Sequence, residues 1–160
     1  MNIEKIYFDM DGVLADFDRG VSEMFHTTTE QDDEMWAAIR QVPHFYDRLK
    51  PMPGALELFQ TVFETYGDRC AILTGIPKEK RGIPAAGADK IAWSHRVLSP
   101  AVAVHIVYAE EKKNFCRGPE CVLIDDLEKN INAWEESGGT GVLHKSPENT
   151  LRILRSLKIL

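Results

Sequence analysis

Short apolar runs alternate with helical patterns along most of this chain. The runs predict five buried strands, at residues 3–9, 70–74, 101–108, 121–125 and 140–143. Apolar positions at helical spacing predict six helices, near residues 17–26, 30–41, 54–66, 88–98, 128–137 and 147–157. From residue 54 onward strands and helices alternate, which is typical of an α/β fold with a parallel sheet between two helical layers.

The segment between the first two strands is too long for a single crossover. We expect residues 17–52 to form a small helical cap over the carboxyl edge of the sheet. Residues 1–16 and 53–160 would then form the core domain. At 160 residues, one domain with a small insertion is the natural reading of the length.

Polar side chains follow the predicted strands in a definite order. Asp9 and Asp11 end the first strand, Thr74 and Gly75 end the second, and Asp125 and Asp126 end the fourth, while Lys90 lies early in the helix before the third. The carboxyl ends of parallel strands meet at one edge of a sheet, so these groups would share one small volume. Clustered carboxylates repel unless a cation lies between them. Mg²⁺ is the simplest such cation because it prefers oxygen ligands.

Each of these features also has an ordinary structural explanation. The Asp11-Gly12 pair could be a turn, Asp125-Asp126 could cap the helix that begins near Glu128, and Lys90 could be a solvated helix residue. Taken together, these explanations would require four coincidences in one order along one sheet edge. The combination therefore indicates a reaction centre.

Composition narrows the function further. The net charge of −6 provides no basic surface for a nucleic-acid polymer. The three cysteines lack metal-ligand spacing, which favours reduced thiols and a cytoplasmic protein. No run is long enough to span a membrane. The five histidines show no ligand spacing and are interpreted as structural or surface residues: His26, His44, His95, His105 and His144.

The ordered acids, hydroxyl and lysine resemble the motifs of the haloacid dehalogenase (HAD) superfamily of phosphohydrolases. The matching strings are Asp9-Met10-Asp11-Gly12, Leu73-Thr74-Gly75, Lys90 and Leu123-Ile124-Asp125-Asp126. More narrowly, the chain resembles the 5′(3′)-deoxyribonucleotidase family. That narrower resemblance rests on the start of the chain through Phe17, on Pro51-Met52-Pro53-Gly54-Ala55, and on Lys90-Ile91-Ala92-Trp93.

The resemblance implies a HAD-like three-layer α/β/α fold and a mechanism. Asp9 would attack phosphorus and form an aspartyl-phosphate, and Asp11 would act as general acid and then as general base. Mg²⁺ would be held by the Asp9 carboxylate, the Asp11 backbone carbonyl and the Asp125 side chain, with help from Asp126. Thr74 and Lys90 would hold the phosphoryl oxygens.

The resemblance also implies a small phosphate ester, and most naturally a nucleoside monophosphate, as substrate. Phe17, Phe45 and Tyr46 fall where the family places aromatic residues around the base, although Phe45 and Tyr46 could instead fix the cap to the sheet domain. Ile76 is a further candidate for the wall of the site. Gly75 stands where the nucleotidases often have Ser, which removes one side-chain phosphate contact.

Lys112 or Lys113, after the third strand, could reach a phosphate or the base; an ordinary surface lysine is an equal alternative for either. Nothing in the sequence specifies the oligomeric state.

Three other functions remain open at this stage. The first is a HAD phosphatase for another small phosphate ester, such as a sugar phosphate. The second is a non-catalytic module that binds phosphate or metal. The third is a receiver domain of two-component signalling, which also carries acids, a Thr and a Lys on a parallel sheet. In receivers, however, the Thr and the Lys come late in the chain, whereas here an acid pair comes last.

Overall fold

A computed structural model describes residues 2–25 and 32–160 of the chain. Two sequence-based expectations lie outside these residues: the role of His26, and the helix boundaries at residues 26 and 30–31. None of the described helices combines the length and the apolar character that crossing a bilayer requires.

Five parallel strands form one sheet in the order β3-β2-β1-β4-β5. The central strand β1 therefore has β2 and β4 as neighbours, and its last residue, Phe8, is in register with Ile72 and Ile124. This architecture confirms the prediction of an α/β fold with a parallel sheet. The strands are β1 (Lys5–Phe8), β2 (Cys70–Gly75), β3 (Ala103–Val107), β4 (Cys121–Asp125) and β5 (Thr140–Leu143).

Successive strand residues point to opposite sides of the sheet, so its buried strands present apolar side chains on both faces. Helices cover both of these faces. Ile6 and Phe8 face one core, and Tyr7 faces the other, where it meets Trp134. The six helices are α1 (Phe17–Phe25), α2 (Asp33–Arg40), α3 (Ala55–Tyr66), α4 (Ala86–Val97), α5 (Glu128–Glu136) and α6 (Pro147–Ser156). Five of the helices lie within about two residues of their predicted positions, and α2 begins at Asp33, three residues after its predicted start.

Four short 3₁₀ helices occur among the described residues, and the sequence pattern predicted none of them. Two of them border the functional site: Glu79–Arg81 follows β2, and Ala109–Phe115 follows β3. The other two are Phe45–Arg48 and Gly67–Arg69. Such short helices carry too few residues to produce a recognisable apolar period.

The two ends of the cap segment lie side by side where they join the core. Ala15 bridges to Pro51, and the Met52 amide donates to the Leu14 carbonyl at 2.8 Å. The cap packs on α4, where the buried indole of Trp93 donates to the Leu49 carbonyl at 2.7 Å. Cap residues share one hydrophobic core with the sheet, so the division into 17–52 and the remainder stays a prediction.

The sheet order separates this chain from the receiver domains. Their doubly wound sheet has the strand order 2-1-3-4-5, whereas the described strands here follow 3-2-1-4-5. The chain adds β2 and β3 on one side of β1, and then crosses to the other side of β1 to add β4 and β5. The strand order therefore changes direction between β1 and β4. A crevice forms outside the carboxyl ends of strands at such a reversal, and it is here that the predicted acids lie.

Candidate active site

Asp9 and Asp11 follow β1, and the chain turns sharply after them. The Asp9 amide continues the sheet by donating to the Ile124 carbonyl at 2.9 Å, whereas the Met10 carbonyl accepts from the Leu14 and Ala15 amides. This turn ends the strand and directs both carboxylates to one cavity. Sequence analysis predicted that these acids would share one volume because they follow a strand of a parallel sheet.

Gly12 satisfies two separate requirements of the turn. Its φ of +83° is a conformation that L side chains rarely adopt, and a Cβ there would lie 2.2 Å from Oδ2 of Asp126. The backbone of the first motif therefore contacts the second acid of the last motif directly. No residue with a side chain fits at this position without displacing Asp126.

Asp125 is fully buried and hydrogen-bonded through both oxygens. Oδ1 accepts from the Leu127 amide at 2.9 Å, while Oδ2 accepts from Asn130 Nδ2 at 3.0 Å and from Lys112 Nζ at 2.8 Å. Sequence reasoning missed Asn130, although its place in the first turn of α5, five residues after Asp125, gave a possible signal. These contacts fix the orientation of Asp125.

Lys112 connects the two neighbouring strands β1 and β4. Its Nζ lies 2.8 Å from Oδ1 of Asp9 and 2.8 Å from Oδ2 of Asp125, and the side chain is buried. The alternative of an ordinary surface lysine is therefore wrong for Lys112, whereas Lys113 is exposed. Burial alone would lower the pKa of Lys112, but Asp9 and Asp125 outweigh it and raise that pKa.

The acids outnumber the cations in this part of the site. Burial, with the charges of Asp9 and Asp125, raises the pKa of Asp126 to about 8. Burial and the Asp9 charge also raise the pKa of Asp125, although Lys112 opposes them. The single ammonium of Lys112 therefore does not neutralise the three carboxylates completely. Such a charge excess is expected at a site that binds a further cation.

The donor set fits a hard divalent cation. One oxygen from each of Asp9, Asp125 and Asp126 lies within 4.8 Å of the others. Carboxylate oxygens at such spacing, in a cavity open to water, are the ligands that Mg²⁺ prefers. The Asp11 side chain does not belong to this group, and the ligand role expected of its backbone carbonyl stays a prediction.

Lys90 makes contacts different from those expected. Its Nζ donates to Asp11 Oδ2 at 2.8 Å, to Thr74 Oγ1 at 3.0 Å and to the Gly75 carbonyl at 2.7 Å. It also lies 4.6 Å from the ring centroid of Tyr46. All three ammonium protons are thus engaged, and neither Lys90 nor Thr74 lines the cavity. Their predicted contact with phosphoryl oxygens therefore stays a prediction.

Asp11 has one oxygen bonded and one free among the described residues. Oδ2 accepts from Lys90, whereas Oδ1 is buried and has no hydrogen-bond partner. A buried oxygen without a partner costs free energy unless a proton or a ligand satisfies it. Asp11 lines the cavity, so a ligand there could meet this oxygen.

The cavity has a volume of about 490 Å³, which is within the range of small-molecule sites. Of the predicted site residues, eight line it: Asp9, Asp11, Phe17, Tyr46, Gly75, Ile76, Lys112 and Asp126. Phe45 does not; it is buried with its ring edge-on to Phe17 and Tyr46, which belong to the same cap segment. Sequence analysis did not assign the other lining residues to the site; among them are Trp36, Lys78, Arg81, Leu127 and Asn130.

Comparison with known proteins gives the family. The family described as "5′ nucleotidase, deoxy (Pyrimidine), cytosolic type C protein" matches residues 19–155, which is most of the chain. The chain belongs to this family. A protein of Vibrio phage KVP40, named provisionally as a 5′(3′)-deoxyribonucleotidase, is 28% identical over 126 residues, covering 78% of this chain and 67% of the phage protein. The nucleotidase family makes the chain a hydrolase of the phosphatase type.

Solved structures agree on the fold. A HAD-superfamily hydrolase from Ehrlichia chaffeensis superposes with a TM-score of 0.60 at 14% identity, covering 98% of both chains. The L-2-haloacid dehalogenase of Xanthobacter autotrophicus gives a TM-score of 0.57 at 15% identity, over 96% of this chain and 83% of that one. These identities are low, so the likeness establishes the HAD-like fold and nothing about the substrate.

The requirement for Gly12 can be tested by substitution. We expect Gly12→Ala to lose about 1–2 kcal/mol of unfolding free energy through its positive φ, and roughly a further 1–3 kcal/mol through the clash with Asp126. Gly138→Ala is the matched control, because Gly138 has a φ of +95° and a Cβ there would meet nothing within 4 Å. Equal losses in urea denaturation of the two variants would contradict the contact with Asp126.

The bridge made by Lys112 can be tested in the metal-free protein. Lys112→Met leaves two buried carboxylates without their shared cation, so we expect a loss of about 3–5 kcal/mol of unfolding free energy in EDTA. Lys113→Met, at the exposed neighbouring position, should change it by less than about 0.5 kcal/mol. The bridge is refuted if urea denaturation shows the same small change for both variants.

Proposed function

We propose that this protein is a Mg²⁺-dependent phosphomonoesterase that releases phosphate from deoxyribonucleoside monophosphates through an aspartyl-phosphate. The observation that carries the proposal is the group formed by Asp9, Asp125 and Asp126, with ligand oxygens within 4.8 Å of one another. This group adjoins a cavity that is also lined by Asp11, Lys112 and aromatic rings.

Mg²⁺ would be held by the carboxylates of Asp9, Asp125 and Asp126 and by the backbone carbonyl of Asp11. When bound, it supplies positive charge that lets an anionic nucleophile approach an anionic phosphate. Lys112 adds to that charge from the protein side, because its ammonium already contacts Asp9. Phosphoryl transfer depends on positioning and charge neutralisation more than on covalent work by the protein.

The chemistry uses the two acids after β1 in separate roles. An oxygen of Asp9 forms a bond to phosphorus while the bond from phosphorus to the ester oxygen breaks, and Asp11 gives its proton to that leaving oxygen. Asp11, now ionised, takes a proton from water. The resulting hydroxide attacks phosphorus, the bond to Asp9 breaks, and phosphate is released.

The two lysines suit different tasks in this scheme. Lys112 lines the cavity and can contact a phosphoryl oxygen, whereas Lys90 is outside the cavity lining and donates to Asp11. Thr74 and Gly75 accept the other two protons of Lys90, so they position Asp11 indirectly. We therefore infer that Lys90 and Thr74 orient the acid, and that Lys112 meets the phosphate.

The aromatic wall supports a nucleotide as substrate. Phe17 and Tyr46 stack with ring centroids 6.1 Å apart, and both line the cavity together with Trp36 and Ile76. Aromatic faces bind nucleobases with about 1–3 kcal/mol per base. A sugar phosphate would leave this apolar wall uncovered.

All three cysteines are free thiols, which fits the expected cytoplasmic location.

A substrate panel tests the proposed function. With Mg²⁺, the purified protein should release phosphate from deoxyribonucleoside monophosphates faster than from sugar phosphates, because only the nucleotides cover the aromatic wall. The measurement is kcat/KM for phosphate release from each compound. Equal or better turnover of sugar phosphates would overturn the nucleotide assignment. If the protein binds Mg²⁺ but hydrolyses nothing in a broad panel, it is a non-catalytic module.

The covalent mechanism makes a separate prediction. Asp9→Asn removes the nucleophile, so we expect phosphate release to fall at least about 10³-fold. Asp68→Asn, in the 3₁₀ helix at residues 67–69 remote from the cavity lining, is the control and should keep full activity. Thermal melting checks that both variants fold. Substantial residual turnover by folded Asp9→Asn would refute the aspartyl-phosphate.

A further inference from the structure

Asp89 is a buried acid that the proposed mechanism does not use. It lies in the first turn of α4, directly before Lys90, and its side chain is only 8% exposed. It does not line the cavity. Its Oδ1 lies 2.8 Å from Nδ1 of His44, the residue that precedes the cap's 3₁₀ helix. Because an ionised carboxylate only accepts hydrogen bonds, Nδ1 is the donor in this contact.

The backbone of His44 adopts a conformation that favours glycine. Its φ of +54° and ψ of +43° lie in the left-handed region, which residues with a side chain enter at a cost in free energy. Such conformations persist where surrounding contacts hold them, and they cluster at functional sites. The side chain of His44 is 67% exposed, so packing holds it only weakly. The hydrogen bond to Asp89 therefore matters for the path of the chain at this point.

The contact between His44 and Asp89 fixes the part of the cap that touches Lys90. Tyr46 follows His44 by two residues, and its buried ring has its centroid 4.6 Å from Nζ of Lys90. Lys90 itself follows Asp89 in α4. The two contacts thus join the same two segments side by side, so a change in one would displace the other.

Lys90 connects this part of the cap to the acid at the cavity. Its Nζ donates to Oδ2 of Asp11 at 2.8 Å, and Oδ1 of Asp11 has no hydrogen-bond partner among the described residues. The position of Lys90 therefore determines how the Asp11 carboxyl is oriented. A general acid must lie within hydrogen-bond reach of the oxygen that it protonates. A misplacement of about 1 Å is enough to slow such a step strongly.

We propose that His44 and Asp89 are positioning residues for proton transfer by Asp11. This inference rests on the proposed function. The pair holds Tyr46 against Lys90, and Lys90 in turn holds the Asp11 carboxyl toward the ester oxygen. Neither member of the pair touches the reacting atoms. The step that they serve is the one in which the bond from phosphorus to the ester oxygen breaks and the proton of Asp11 goes to that oxygen.

The test uses leaving groups that differ in their need for a proton. The alcohols of dUMP and 2-deoxyribose 5-phosphate leave only when protonated, whereas 4-nitrophenolate leaves without a proton. We would measure kcat/KM with Mg²⁺ for dUMP, the sugar phosphate and 4-nitrophenyl phosphate, in wild type and His44→Gly. Glycine keeps the left-handed backbone but removes the imidazole. We expect kcat/KM to fall about tenfold for both alkyl esters and less than about twofold for the aryl ester.

Further variants test the pair as a unit. Asp89→Ala should reproduce the pattern of His44→Gly, and the double variant should lose no more than either single one, because each removes the same contact. Asp89→Asn keeps an acceptor oxygen for Nδ1 and should retain most of the turnover. It replaces Asp89→Ala if thermal melting shows that the Ala variant is unfolded.

Arg96→Gln is the matched control. It breaks another ion pair between α4 and the same 3₁₀ helix, the one that Arg96 forms with Asp47. The Arg96 side chain is 55% exposed, so this pair contributes little. All three values of kcat/KM should therefore change by less than about twofold.

Asp11→Asn separates this inference from the proposed function, because it should show the same dependence on the leaving group. If it does not, or if wild type hydrolyses none of the esters, the proposed function fails and the inference fails with it. If it does, four results overturn the inference alone. They are unchanged turnover in His44→Gly, an equal loss on all three esters, a loss confined to dUMP, and the same loss in Arg96→Gln.

Discussion

Mutual repulsion among carboxylates at one sheet edge is the constraint on which the site depends. Asp9, Asp125 and Asp126 come from neighbouring strands, and the parallel register leaves them no way to separate. Lys112 compensates part of that charge from within the protein. Burial, together with the charges of Asp9 and Asp125, raises the pKa of Asp126. In the proposed mechanism, the carboxylates that a cation would neutralise include the one that attacks phosphorus.

Much of this arrangement follows from the sequence because it depends on local pattern and on simple topology. Buried parallel strands appear as continuous apolar runs, and the polar residues that end them must meet at one edge. The positions of Asp9, Asp11, Asp125 and Asp126 required no other information. The role of Lys112 required the structure, because Lys112 stands beside Lys113 in a 3₁₀ helix that has no apolar period. Only the three-dimensional path of that helix decides which lysine is buried.

The aromatic residues show a similar limit. On an amphipathic helix, the pattern alone makes Trp36 an ordinary apolar residue. Its ring instead lies between Phe17 and the guanidinium of Arg81, facing the cavity. Phe45 was expected at the site, yet it packs behind Phe17 and Tyr46. A helical period places side chains on a face, but it cannot say whether that face meets the core or a cavity.

The strand order explains why acid, cation and aromatic wall all adjoin one cavity. With β1 central, its carboxyl end is flanked by β2, which leads into the loop of Arg81, and by β4, which ends in Asp125. The cap begins at Phe17, a short turn after Asp11, and Phe17 lines the same cavity as the acids. Lys90 then connects cap and core, because it contacts both Tyr46 and Asp11. The orientation of Asp11 therefore depends on how the cap packs, so the proposed proton transfer and the proposed binding of the substrate would share these contacts.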